Sequence, residues 1–274
     1  MTKDILLGED GYPLCACGGE TLLQVHPPIG QGICHDVDSR VLDKGYVRYV
    51  KHMGDDLDPI NSAKVSFMKE AKTFGEKEER LLGFLTREEH SSVFRHSALT
   101  FEVYAPLFVA RQWWKYAVAS THLEDQNGWN ESSRRYVTEI PEFYIPDYDQ
   151  WRTAPENKKQ GSGIPLPADT PNNPGYKPEY GDYWTEELKN FIRVSIATYE
   201  DAMTAGICAE QARLFLPAYG LYVRWRWTAS LGAVMHFLQQ RLAHDAQKEM
   251  QEYAKGVFNI TKEFFPISMS VIGE

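Results

Sequence analysis

A cluster of charged and hydroxyl side chains lies near the middle of the chain. It contains Glu131, Ser133, Arg134 and Arg135. Arginine offers a two-pronged set of N–H donors to phosphate oxygens, and serine adds a neutral donor. Glu131 would accept a hydrogen bond from a hydroxyl or an imide N–H. The cluster predicts a site for a phosphate-bearing ligand, and the same residues also fit a solvated loop or a helix cap.

Two further arginines, Arg213 and Arg241, lie on segments predicted to be helical, where their stripes are otherwise apolar. Arg241 follows Val234 by seven residues and Leu238 by three, so its side chain should point inward. A buried arginine needs an anion, because an unpaired buried charge is costly. Arg241 is therefore a candidate ligand contact. The alternative is a structural ion pair with one of the 38 acidic residues.

The first 40 residues are rich in glycine, proline, cysteine and histidine, and they show no sustained periodicity. Four of their side chains, with His26 as a substitute for one, could hold a zinc ion in a tetrahedral site: Cys15, Cys17, Cys34 and His35. Their spacing is not that of a zinc finger or ribbon. The alternative is a loose extension with incidental thiols.

Composition excludes several classes of protein. The chain has 274 residues, of which 43% are hydrophobic and 24% charged, as in ordinary globular proteins. Its net charge of −9 argues against non-specific binding to nucleic acid or membranes. No apolar run is long enough to cross a membrane, and no secretory signal is evident. With only four cysteines, the chain is expected to be soluble and cytoplasmic.

The elements that must position these side chains follow from hydrophobic periodicity. Alternation predicts three strands: 46–50, 99–103 and 221–228. Helical spacing predicts four helices: 76–85, 185–205 with Thr185 as N-cap and Gly206 as stop, 209–216, and 231–258. Residues 121–181 are predicted to be a long irregular segment. The tryptophans at 113–114, 225 and 227 are predicted to pack in the core more readily than against a cofactor ring. Because strands and helices do not alternate as β-α-β units, the α+β class is favoured.

Taken in order, several segments resemble the flavin-dependent thymidylate synthases. Residues 130–136, Asn-Glu-Ser-Ser-Arg-Arg-Tyr, fit that family's Asn-Glu-x-Ser-x-Arg-Tyr, and Glu142-Phe-Tyr-Ile-Pro146 follows as it does there. The other similar segments are 46–67, 94–113, 213–217, 227–241, and Ala246-Gln247 with Glu249. The resemblance runs from about Gly45 to the C-terminus.

The chain departs from the family pattern at three places. Where the family has Arg-His-Arg, this chain has Lys115, Tyr116 and Ala117. Residues 121–129 lengthen the segment before the Asn-Glu motif. Where the family has Asn-x-Arg before the last helix, this chain has Ser230-Leu-Gly232. A shared fold does not by itself transfer a reaction, so these positions decide how far the family's chemistry applies.

The resemblance implies an α+β catalytic domain over 41–274, with a mixed sheet flanked by long helices, after an irregular extension over 1–40. It implies a homotetramer with active sites at subunit interfaces. FAD would take a hydride from NADPH, and methylenetetrahydrofolate would supply carbon to C5 of dUMP. The alternatives are a flavin enzyme acting on UMP or dCMP, and a non-catalytic nucleotide-binding protein.

The resemblance also implies roles for individual residues. Those expected to face FAD are Ser92, Lys115, Tyr116, Ala117, Glu131, Ser230, Gly232 and His236. Those expected to hold dUMP are Gln112, Glu131, Ser133, Arg134, Arg135, Arg213 and Arg241. Arg241 is the expected catalytic residue, because a cation near the uracil stabilises negative charge that develops at N3. Ser133 is a phosphate donor and not a nucleophile, because the sequence offers it no base.

Overall fold

The computed structural model of the chain describes residues 38–117, 128–131, 140–156, 161–168 and 177–272. For Lys115, Ala117 and residues 128–131 it describes the backbone alone. Among the described helices, none is long and apolar enough to span a membrane.

A five-stranded sheet forms the centre of the described chain, in the order β1-β2-β3-β5-β4. The strands are β1 Asp38–Val41, β2 Gly45–Met53, β3 Ala98–Pro106, β4 Gly128–Glu131 and β5 Tyr222–Ser230. The three predicted strands are confirmed as β2, β3 and β5. Strand β1 pairs with β2, so residues 38–40 of the predicted extension belong to the sheet.

The α+β class is confirmed, but the expected mixed sheet is wrong for the described strands. All four strand pairs are antiparallel. The reason lies in the connections, since each new strand starts at the sheet end where its neighbour stopped. Met53 at the end of β2 pairs with Ala98 at the start of β3, and Pro106 at the end of β3 pairs with Tyr222. Parallel strands would need a crossover back to the opposite end.

Eight helices accompany the sheet within the described ranges. They are α1 Leu57–Lys64, α2 Glu76–Arg87, α3 Leu107–Trp113, α4 Gly181–Thr204, α5 Ala209–Ala212, α6 Leu231–Arg241, α7 Lys248–Phe264 and α8 Pro266–Ser270. Two 3-10 turns matter for the site: Ser91–Arg95, and Trp114–Ala117 directly after α3. The predicted helices over 76–85, 185–205 and 209–216 are confirmed as α2, as α4, and as α5 with the 3-10 turn that follows it.

The predicted N-cap of α4 is wrong. The helix begins at Gly181, and Thr185 is buried inside its first turns. The Thr185 hydroxyl donates to the carbonyl of Pro146 (2.9 Å) and accepts from the indole of Trp151 (2.8 Å). A threonine oxygen caps a helix only when the backbone leaves the helical region there, and here the contacts with the preceding segment use the hydroxyl instead.

The long helix predicted over 231–258 is also wrong, because α6 and α7 are separated by residues 242–247. The break is held by the buried side chain of Gln251 on α7. Its amide donates to the carbonyls of Ala243 (2.8 Å) and Ala246 (3.0 Å), which have left the helical hydrogen-bond pattern. Polar groups freed by the break are thereby satisfied. The break places Arg241 at the end of one helix and Gln247 at the start of the next.

A cluster of aromatic side chains joins the sheet to the helices at the site. Trp113 stacks on Phe237 of α6, with ring centroids 4.5 Å apart. It also meets the edges of Trp225 and Trp227 on β5 at 5.5 and 5.4 Å. Burying an aromatic side chain of this size contributes about 2 kcal/mol or more. The prediction that Trp113, Trp225 and Trp227 belong to the core is confirmed, and their packing fixes the end of α3 against β5 and α6.

Candidate active site

The N-terminal end of α6 lies against the 3-10 turn Ser91–Arg95. Ser230 is buried, and its hydroxyl caps the helix by accepting from the backbone N–H of Ala233 (3.2 Å). A Cβ added to Gly232 would lie 3.2 Å from Cβ of Phe94, so this position favours glycine for close packing. Ser92 lies on the same turn and is exposed. The structure therefore brings together three of the residues expected at FAD: Ser92, Ser230 and Gly232.

His236 lies further along α6, and Tyr116, on the 3-10 turn after α3, packs near it. The ring of Tyr116 meets Phe237 edge-on at 5.1 Å and lies 5.8 Å from the ring of His236. Tyr116 is buried, whereas His236 is exposed. Burial raises the pKa of the Tyr116 phenol, and the neighbouring guanidinium of Arg241 opposes that rise. Tyr116 is therefore neutral near pH 7 and presents an uncharged aromatic face to Arg241.

Arg241 ends α6 and is half-buried, as its place on the apolar stripe predicts. Its guanidinium carbon lies 5.0 Å from the centroid of the Tyr116 ring, a cation–π geometry. Its Nε is buried and has no hydrogen-bond partner among the described residues. Within the same residues no carboxylate forms an ion pair with it. A buried donor without a partner is the kind of atom that a bound ligand satisfies.

Gln112, expected to hold dUMP, lies one residue before Trp113 on α3. Its amide donates a short hydrogen bond to the side-chain oxygen of Gln247. The Gln247 amide in turn donates to Glu249 (2.9 Å), whose carboxylate also accepts from Arg152 (2.5 Å). Gln112 is therefore held at the break between α6 and α7. This break begins directly after Arg241, the last residue of α6.

Glu131 ends strand β4 at the sheet edge, where it pairs with Trp225 of β5. Trp225 packs against Trp113, next to Gln112. The first residues of the Asn-Glu motif thus pair with the strand whose Trp225 contacts the residue next to Gln112. Its remaining ligand candidates, Ser133, Arg134 and Arg135, lie outside the described residues, and the side chains of Glu131, Lys115 and Ala117 are not described either.

Arg213 does not join this group of residues within one chain. It is exposed after α5, and its Nε donates to the backbone carbonyl of Glu210 (3.2 Å). The apolar stripe noted in the sequence does not turn Arg213 inward in the single chain. The helix there is only four residues long before it tightens into a 3-10 turn, so the stripe is too short to set a buried face.

The candidate zinc ligands Cys15, Cys17, Cys34 and His35 lie outside the described residues. Among the described residues, no group of three or more histidine, cysteine, aspartate or glutamate side chains could hold a metal ion.

Three contributors to the site carry little or no signal in the sequence. Gln247 and Glu249 belong to the segment that resembles the family, yet the resemblance by itself assigns them no role. Arg152 lies outside every motif, and its contact with Glu249 joins residues 97 positions apart. Such a pairing is invisible to periodicity, which reports only local geometry.

The grouped side chains define what the site can do chemically. A planar cation with an unpartnered donor lies at the C-terminal end of α6. The Gln112 amide is held at the break that follows this helix, and the exposed Ser92 lies near its N-terminal end. This arrangement fits a ligand that has an anionic or polarisable ring near Arg241 and extends along the helix.

Comparison with known proteins shows which family the chain resembles. The family model described as thymidylate synthase complementing protein matches residues 48–267. A flavin-dependent thymidylate synthase of Thermotoga neapolitana is 36% identical over 229 residues, covering 82% of this chain and 89% of that protein. A flavin-dependent thymidylate synthase of Thermus thermophilus is 33% identical over 234 residues, covering 85% and 77%.

A solved structure shares the fold. The UMP/dUMP methylase PolB from Streptomyces cacaoi, bound with 5-Br dUMP, superimposes with a TM-score of 0.69. The sequences are 23% identical, and the match covers 86% of this chain and 97% of that one.

Proposed function

Because the chain belongs to the flavin-dependent thymidylate synthase family and is a methyltransferase, we propose that it converts dUMP to dTMP. Methylenetetrahydrofolate would supply the carbon, NADPH the reducing equivalents, and FAD the hydride chemistry. The observation that carries the proposal is Arg241, whose half-buried guanidinium ends α6 with an unpartnered Nε. The family resemblance expects the pyrimidine to bind beside this residue.

The nucleotide would be held by residues that differ in chemistry. The phosphate would be bound by Ser133, Arg134 and Arg135, because guanidinium forks and a hydroxyl match its oxygens. Glu131 and Gln112 would bind the sugar or the base through single hydrogen bonds. Arg213, which is exposed in one chain, would contribute from a neighbouring subunit.

Arg241 would act on the uracil ring. Uracil becomes a carbon nucleophile at C5 when negative charge accumulates at N3 and O4. A guanidinium fixed beside the ring stabilises that charge without reorganising during the step. Its position is held by Tyr116, whose neutral ring faces the cation and does not neutralise it. Arg241 is therefore proposed as the catalytic residue.

A flavin, when bound, supplies the hydride that completes the methyl group. The residues present fit such a group along α6. Ser92 and His236 are exposed there and free to bind it, whereas Ser230 and Gly232 shape the helix end. The backbone at Lys115 and Ala117 flanks Tyr116 on the same turn. These residues, together with Glu131, are proposed to orient the flavin against the nucleotide.

We further propose that the enzyme is a homotetramer. Helix α4 exposes large apolar side chains, with Trp184 41%, Phe191 58% and Val194 55% exposed. Their spacing puts them on one side of the helix, beside its buried face. We expect Phe191→Glu to dissociate the assembly in sedimentation velocity, whereas Arg193→Glu, on the opposite side of α4, should leave it intact. A wild-type monomer would contradict the proposal.

Release of tritium from dUMP labelled at C5 tests the reaction, in the presence of FAD, NADPH and methylenetetrahydrofolate. UMP is assayed beside it, because the similar structure is of a methylase named for both nucleotides, and dCMP is included as a third substrate. We expect turnover with dUMP and a yellow, flavin-binding protein. A colourless protein that binds dUMP but releases no tritium would instead be a non-catalytic nucleotide-binding protein.

A further inference from the structure

We propose that a chain of hydrogen bonds from Arg152 through Glu249 and Gln247 fixes the amide of Gln112, so that its carbonyl oxygen accepts a hydrogen bond from the bound nucleotide. This inference rests on the proposed nucleotide site. It makes Gln247 and Glu249 positioning residues, which act on the ligand only through Gln112.

The contacts run without interruption from the surface to Gln112. Arg152 Nη2 donates to Glu249 Oε1 at 2.5 Å, and Gln247 Nε2 donates to Glu249 Oε2 at 2.9 Å. Gln112 Nε2 then donates to Gln247 Oε1. Arg152 is itself held by the backbone carbonyl of Gln150 at 3.1 Å. The Glu249 side chain is only 7% exposed, so water competes little for its oxygens.

The direction of every hydrogen bond in this series follows from the charged pair at its start, Arg152 and Glu249. Arginine is only a donor, and an ionised carboxylate is only an acceptor. Gln247 must therefore turn its NH₂ group toward Glu249 and its oxygen toward Gln112. Gln112 must in turn donate, which leaves its own carbonyl oxygen free. An isolated glutamine amide could adopt either orientation, and this one cannot.

The residue that carries this free oxygen is followed along the chain by residues that contact α6 and Arg241, where the nucleotide is proposed to bind. Gln112 is half-buried, and its oxygen has no hydrogen-bond partner among the described residues. The next residue, Trp113, stacks on Phe237 of α6. Three residues after Trp113, the ring of Tyr116 makes a cation–π contact with the guanidinium of Arg241. A carbonyl oxygen accepts hydrogen bonds. A uridine nucleotide offers two kinds of hydrogen-bond donor, the N3–H of its base and the hydroxyls of its sugar.

Two nucleotide analogues separate these donors. N3-methyl-dUMP lacks the base donor, and 2′,3′-dideoxy-UMP lacks the 3′-hydroxyl. We expect the flavin-loaded enzyme to bind one of them about tenfold more weakly than dUMP in calorimetry, as is typical of one lost hydrogen bond. In Gln112→Ala and Gln247→Ala that penalty should fall below about threefold, and the double variant should show no further change.

Glu249→Gln tests the direction of the chain with almost no change in volume. A glutamine at 249 can donate or accept, so Gln247 and Gln112 could both reverse, and the penalty should fall here too. The matched control is Glu252→Gln on the same helix, an exposed residue paired with Lys255, which should keep the full penalty. Thermal melting and flavin content confirm that each variant is folded. If Gln247→Ala does not fold, Glu249→Gln replaces it in the test.

Two results would overturn the inference. One is a wild-type enzyme that binds both analogues as tightly as dUMP. The other is a folded Gln247→Ala enzyme that keeps the whole penalty while Gln112→Ala loses it. The proposed function can fail separately: an intact pattern of penalties without tritium release would refute the reaction and support the positioning of Gln112.

Discussion

Replacing Arg241 with alanine separates a catalytic role from a structural one. If the guanidinium stabilises charge that develops on the uracil, its loss removes an interaction made mainly in the transition state. One such donor contributes about 10²–10³ in kcat, which corresponds to roughly 3–4 kcal/mol of activation free energy. KM for dUMP should change much less, because the phosphate contacts remain.

The same substitution should affect stability very little. It removes the contact between the guanidinium and Tyr116, at 5.0 Å from the ring centroid, which contributes about 1 kcal/mol. It also removes the buried Nε that has no partner among the described residues, and an unsatisfied buried donor costs about 1–3 kcal/mol. The two effects oppose each other, so the free energy of unfolding should not fall and should rise by at most about 2 kcal/mol. Breaking a buried ion pair would cost about 3–5 kcal/mol.

The assay combines tritium release, flavin absorbance and urea unfolding on the same preparations. Arg241→Lys keeps the charge but loses the planar fork, and should recover only part of the rate. Arg193→Ala, an exposed arginine on α4, is the control and should match the wild type. An Arg241→Ala enzyme that is folded, flavin-loaded and fully active would refute the reasoning, and one destabilised by several kcal/mol would indicate a structural ion pair.

Three further predictions concern stability and metal content. Burial raises the pKa of Tyr46 to about 12, so its contribution to stability should be complete below pH 10 and lost as the pH rises through 12. Burial also raises the pKa of Tyr222, so this residue should add to the loss above pH 10. Urea unfolding from pH 9 to 12 should show the loss of stability, less steeply in Tyr222→Phe. Asp56 accepts hydrogen bonds from the backbone N–H of Ile267 and from both donors of Ser268, so Asp56→Ala should lower the free energy of unfolding by about 2–4 kcal/mol; a loss no larger than that of Asp201→Ala would contradict this. Metal analysis of protein purified without a histidine tag should find less than about 0.2 zinc per chain, and one zinc per chain would establish a site in residues 1–40.

The sequence by itself determined the features that depend on local periodicity. Apolar residues at every second position of β3 and β5 predict strands with one buried face, and the structure has them. Arg241 shares a helical stripe with Val234 and Leu238, so its inward position was also readable. These features are local because the angle between successive side chains along a helix or strand is fixed.

The tertiary structure alone decided where helices begin and break, and which side chains meet. Gly181 rather than Thr185 begins α4, because the Thr185 hydroxyl is bound by Trp151 and Pro146. Gln251 holds the break between α6 and α7 by contacts with carbonyls that no spacing rule predicts. Each of these outcomes depends on competition between local preference and contacts formed elsewhere in the fold.

The series of hydrogen bonds from Arg152 to Gln112 shows most clearly what the sequence cannot predict. Gln112 and Gln247 are 135 residues apart, and Arg152 and Glu249 are 97 apart. Glutamine has no charge and no periodic signature, so nothing in its neighbourhood along the chain indicates which way its amide will face. Only after folding does the acceptor-only carboxylate of Glu249 set that direction, because hydrogen-bond polarity passes between side chains in contact and not between residues adjacent in sequence.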